Sequence, residues 1–175
     1  MSKRDLKKYV AALSKEQLEE QIMDLYDKFS PVKVFYDFVF NPKEESLLKE
    51  AKLKIAYEYF PVKKSGRRSR PKMRRSVAQK YIKHFIVLGV DPFIITDLML
   101  YNIEIAQTFA SENSIKQDLF FKSIFNSFEQ AVIYLIANAI LTDFKPRLHA
   151  IHNGILDQKW YNTPEFDAIM ERLEY

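Results

Sequence analysis

Residues 63–76 read KKSGRRSRPKMRRS, eight Lys and Arg in fourteen positions with no acidic residue among them. Guanidinium and ammonium groups at this density suit recognition of phosphate or carboxylate, Arg through paired N–H donors and Lys as a compact charge. The whole chain carries 27 Lys and Arg against 23 Asp and Glu, a formal net charge of +4. Outside residues 63–76 the count is 19 against 23, so the entire basic excess lies in this one stretch. A charge run is often only a solvated linker. Its far end argues for more, because Arg74 and Arg75 precede Ser76 where a helix is expected to begin. A helix start is already partly positive, and each cation there costs roughly a few tenths of a kcal/mol. An arriving anion removes that conflict: free N–H groups, the Ser76 hydroxyl and flanking Arg forks together form a phosphate site.

The candidate anion-binding or nucleic-acid-binding set is Lys63, Lys64, Arg67, Arg68, Arg70, Lys72, Arg74, Arg75, Ser76, Lys80 and Lys83. The last two come from the following helix, where Val77, Tyr81, Phe85 and Leu88 are expected to face the core and Ser76, Gln79, Lys80 and Lys83 the solvent. Such a surface holds nucleic acid through its backbone without reading bases. Its affinity falls about a thousandfold between about 50 and about 200 mM salt if roughly six phosphates are engaged. The basic run itself has no interleaved aromatic residues for base stacking. An acidic protein surface is the other partner it could dock.

Signals for catalysis are weaker. No paired carboxylates, no nucleophile beside a base and no glycine-rich phosphate cradle stands out, so no catalytic residue, cofactor or enzymatic activity is expected. The absence of cysteine removes disulfides, thiolate metal sites and thiol nucleophiles. His149 and His152 are spaced i,i+3 as a metal pair could be, but His152 falls in the apolar stripe of Leu148, Ile151 and Ile155, which reads as a packed histidine and no metal. Asn102 lies on the apolar side of its helix, and Asn126, Glu129 and Gln130 cluster on another; facing one another they could build a polar network or a small pocket. Asp97, Glu104 and Ser111, with Tyr101 and Thr108, share a polar face that is solvated or lies between helices.

Helix signals run through the chain and position these residues. Ser2 with Asp5 and Ser14 with Gln17 have capping-box spacing, predicting helices near 3–12 and 15–29. Pro31 opens VKVFYDFVF, read as helix despite its β-branched content, and Asn41-Pro42 is read as the cap of another helix over 43–60. Gly89 is placed to end the helix after the basic run, and Asp91-Pro92 to start one through about residue 111. Ser114 with Gln117 is read as the cap of a long helix over 114–141. Its second half is apolar almost all round, which marks it as the central strut. Asp143, with Pro146 in its first turn, and Thr163-Pro164 start the last two.

At 175 residues the chain suits one domain, at most with a small appended unit, and folding buries about 70% of its unfolded surface. The fold class is all-α: a single irregular multi-helix bundle of about nine helices over 1–175 with a flexible basic loop at 61–73, or alternatively a short α-superhelix of stacked hairpins. No apolar window is long enough to span a membrane and MSKRDLKKYVAAL lacks a signal-peptide core, so a cytoplasmic protein is expected.

The stretches YDFVFNPKEE (36–45), RRSVAQKYIKHF (74–85), LGVDP (88–92), NIEIAQ (102–107) and NSFEQAV (126–132) resemble a family of small bacterial proteins known as a domain of unknown function. The resemblance implies a cytoplasmic, all-helical protein and brings no catalytic residues with it. The reading is a binding protein that engages nucleic acid or another phosphate-bearing polyanion through the basic loop and helix start. The alternative is a helical protein-interaction scaffold using the aromatic surface of residues 34–60.

Overall fold

A computed structural model describes residues 2–62 and 70–174; Lys63, Lys64, Arg67 and Arg68 lie outside the described residues. Among the described residues the protein is all-α, with nine helices and no strand: α1 (Lys3–Ala11), α2 (Lys15–Lys28), α3 (Ser30–Phe40), α4 (Glu44–Tyr59), α5 (Arg75–Leu88), α6 (Pro92–Glu112), α7 (Asp118–Ala137), α8 (Leu141–Asp157) and α9 (Thr163–Glu174). None of these helices is long and apolar enough to cross a membrane. They group into two compact units, Met1–Lys43 and Glu44–Tyr175, within what length alone reads as one domain.

In the first unit both capping boxes form. The Ser2 and Ser14 amides donate to Asp5 and Gln17 at 2.9 Å, and the return bonds to the serine hydroxyls are 3.3 Å. These reciprocal bonds satisfy amides that a helix start otherwise leaves open. Pro31 sits in the first turn of α3, which suits its fixed φ, and the β-branched, aromatic run after it is helical. Asn41, expected to cap the next helix, instead closes α3 with its backbone amide on the Asp37 carbonyl, and α4 begins only at Glu44. Tyr26 on α2 donates to Asp37 on α3 at 2.8 Å. None of the described residues of this unit is buried.

The second unit is organised around α6. This helix contacts α4, α5, α7 and α8, a star of neighbours that a row of stacked hairpins would not produce. It buries ten residues, including Leu98, Leu100, Ile103 and Ala106, which are fully enclosed. The expectation that the 114–141 helix is the central strut is corrected here. α7 buries Phe120, Ile124, Phe128, Ala131, Val132 and Leu135, but Ile133 and Ile136 remain 61% and 56% exposed. All-round apolar composition misled because α6 disguises its own enclosure with Thr96, Asn102 and Gln107, polar residues that are also buried.

Three element boundaries differ from expectation for local reasons. Ser114 is not a helix cap. Asn113 is extended and its side-chain Nδ2 donates to the Phe109 carbonyl at 2.9 Å, closing α6, and the chain becomes helical again only at Asp118, after Gln117. The carboxylate of Asp118 is favourable in that first turn. α7 ends at Ala137, because Asn138 donates back to Tyr134 and Ala139 adopts a left-handed φ of 57° that breaks the helix. α8 then starts at Leu141 and holds Pro146 in its interior, not its first turn. On α5 the core face is Ala78, Ile82, Phe85 and Leu88, while Val77 and Tyr81 are only half-buried, a small rotation from the expected face. Gly89 ends α5 at φ 73°, and Asp91 caps α6 by accepting from the Phe93 amide at 2.7 Å.

The polar face of α6 is an inter-helix face. Arg147 from α8 donates to both carboxylate oxygens of Glu104 at 2.6 and 2.8 Å and to Asp97 at 2.7 Å, and Lys52 from α4 reaches the other Asp97 oxygen at 2.6 Å. Burial alone would raise the Asp97 carboxyl, but its hydrogen bonds to Lys52 and Arg147 outweigh that and hold it below its ordinary value. Three helices are thus tied at the Asp97 carboxylate, which takes Lys52 from α4 on one oxygen and Arg147 from α8 on the other. Arg147→Met is expected to lower stability by about 2 kcal/mol, between the values for exposed and buried pairs. Urea denaturation checks this, and an unchanged midpoint would mean the α4–α6–α8 packing does not depend on the network.

Candidate anion-binding surface

The helix start that the basic stretch leads into already meets a carboxylate. Glu58, on the last turn of α4 and 9% exposed, receives the Arg74 guanidinium at 2.9 Å (Nε to Oε2) and 2.7 Å (Nη2 to Oε1), and the Arg74 amide at 3.3 Å. Its backbone carbonyl accepts from the amides of Lys72 and Met73 at 2.9 and 3.0 Å. One residue therefore fixes the chain from Lys72 to Arg74 and sets where α5 begins. The hydrogen bonds of Arg74 hold the Glu58 carboxyl below its ordinary value, more than burial raises it. Each charge sits at the wrong end of its own helix, an acid at a C-terminus and a base at an N-terminus, and each offsets the other. Sequence reasoning missed Glu58. The signal was there in its unfavourable position within YEYF, sixteen residues before Arg74.

Arg75 turns inward. It donates to Ser127 Oγ at 3.0 Å, to Gln130 Oε1 at 2.9 Å and to the Asn126 carbonyl at 3.4 Å. Gln79 donates to the same Gln130 oxygen at 2.7 Å, so it faces α7 and not solvent. Every described acceptor of Arg75 is neutral, and burial pulls its guanidinium below its ordinary value. Of the suggested polar group, Gln130 and the Asn126 backbone thus meet Arg75. Asn102 is buried in α6 and Glu129 is exposed, and neither joins these bonds among the described residues.

Arg70, Lys72, Ser76, Lys80 and Lys83 are exposed. Among the described residues none of the four cations in that set pairs with a carboxylate. The α5 cap, Arg74, contributes no side-chain cap, and the Arg75 and Ser76 amides have no partner among the described residues. Elsewhere, His152 bonds to Asp167 on α9 at 2.6 Å while His149 is exposed on α8, and no metal-type cluster surrounds them among the described residues.

Because the Glu58 value is depressed on folding, its pair stabilises fully above the unfolded value of about 4.3 and loses that contribution as pH falls through the lower folded value. Glu58→Gln is therefore expected to lower the denaturation midpoint at neutral pH, and the difference should begin to narrow below about pH 4 and close as the pH falls through the lower folded value. A gap that persists in acid would mean the residue acts through its shape alone.

Neither the curated proteins nor the solved structures yield a match to the chain. A family model does match, over residues 1–174, and it is described as a family of unknown function. With all but the last residue matched, the chain belongs to the family of unknown function DUF6155.

Proposed function

We propose that this protein binds polyanions, the phosphate backbone of nucleic acid first among them, through the basic surface that residues 70–83 present beside the start of α5. The observation that carries the reading is the set of exposed cations, Arg70, Lys72, Lys80 and Lys83, left without carboxylate partners on the described surface while Arg74 is matched by Glu58. Two open amides at Arg75 and Ser76 add donors at a partly positive helix end. Lys63, Lys64, Arg67 and Arg68 extend the charge along the chain. The rival reading, a protein-interaction scaffold, draws support from apolar side chains left in solvent: Phe40 is 81% exposed in the first unit, and Leu53 and Tyr57 are exposed in the second.

Fluorescence anisotropy with short oligonucleotides separates the two. Affinity is expected to fall about a hundredfold between about 50 and about 200 mM salt if roughly four phosphates are contacted, and replacing Arg70, Lys72, Lys80 and Lys83 by Gln should flatten that slope. Absence of binding at low salt, or affinity unchanged by the fourfold variant, would remove the polyanion reading.

A further inference from the structure

The basic stretch borders a feature that a backbone-only binder has no use for. Arg70, Pro71 and Met73, with Phe109, form one wall of a cavity of about 460 Å³ whose other wall is the link 113–117. Adjoining it at that link lies a second cavity, of about 340 Å³, against Phe121, Gln158, Lys159, Trp160 and Tyr161. The two share Ile115 and Lys116, so one exposed ammonium stands between two partly apolar recesses. Each falls in the size range of small-molecule sites, which starts at about 300 Å³. Further cations lie beyond, Arg70 on the wall of the first and Lys159 on the wall of the second.

We propose that this surface binds single-stranded nucleic acid, with one phosphate at Lys116 and the two flanking bases in the adjoining cavities; the proposal rests on the polyanion reading above and narrows it. A base has both a flat apolar face and a charged neighbour on each side, and the alternation of recess, cation and recess matches that repeat. The aromatic surface missing from the basic run is supplied here by Tyr161, 60% exposed and packed edge to face on Phe121 with ring centroids 5.3 Å apart, while Trp160 lies buried behind Phe121 at 5.1 Å. A duplex cannot use the cavities, since its bases are already stacked and paired. Met73 and Lys159, one on each recess, hold left-handed backbone at φ 51° and 53°, and the Met73 amide is pinned to the Glu58 carbonyl. Asp118, at the start of α7, is the acidic residue among those lining the second recess and opposes a phosphate there, as does Glu165 near Tyr161.

The full chain is titrated with a single strand of about ten nucleotides and with a duplex of equal length, read by anisotropy and by the fluorescence of Trp160, the only tryptophan, which is 5% exposed in the second cavity. The single strand is expected to bind about tenfold more tightly than the duplex and to quench Trp160. Lys116→Glu should cost the single strand about tenfold, and Asp118→Asn should strengthen it. Met73→Gly removes a wall while suiting the left-handed backbone, and should weaken the single strand several-fold with helicity unchanged. Equal affinity for duplex and single strand, with Trp160 undisturbed, overturns this proposal and leaves the polyanion reading standing. Binding of neither overturns both, and a Lys116→Glu protein with unchanged single-strand affinity overturns the placement of the phosphate.

Discussion

The contact on which the basic surface depends is Glu58 with Arg74. A carboxylate at the end of α4 and a guanidinium at the start of α5 would each weaken their own helices, and the bidentate bond between them converts two unfavourable placements into one junction. The Glu58 carbonyl holds the two preceding amides as well. The chain is therefore fixed at a defined point of the bundle from Lys72 to Arg74, with Lys72 and Arg70 facing out, Met73 beside a cavity and Arg75 directed at α7. Charge among the described residues of this region is thereby sorted: Arg74 is neutralised, Arg75 is spent on neutral acceptors, and Arg70 and Lys72 stay in solvent.

That junction has meaning only because α6 gives α4 and α5 a common partner. Both helices lie on it, α7 and α8 take its other sides, and the Arg147 network closes the polar remainder of its surface. The hydrophobic effect supplies the attraction, through side chains such as Leu98, Ile103 and Phe128. The ion network directs which face of α6 meets α8, since Asp97 and Glu104 lie seven residues apart on one face and a single guanidinium spans both.

Local signals in the sequence carried far and long-range ones did not. Capping boxes at Ser2 and Ser14, the left-handed Gly89 and the Asp91 cap are decided within four residues, so spacing alone located them. Ser114 had the same spacing and failed, because Asn113 had already closed α6 and turned the chain. The central helix was misjudged for a different reason: burial depends on how many neighbours surround a helix, and Thr96, Asn102 and Gln107 made α6 look less enclosed than α7. The Arg74–Glu58 pair joins residues sixteen apart, and Arg75 meets Gln130 fifty-five residues on. Neither partnership leaves a periodic trace, although the misplaced charge of Glu58 was a visible clue. Lys116 and Tyr161 carry no local signal at all.

The account makes the cations that Glu58 leaves unmatched the working part of the surface. Amide chemical shifts mapped by NMR during titration with a short oligonucleotide test this most directly. Shifts are expected to concentrate at Arg70 to Met73, at Ser76, Lys80 and Lys83, and at Ile115 and Lys116, with the Arg147 surroundings quiet. Shifts confined to residues 34–60, or none at low salt, would contradict it.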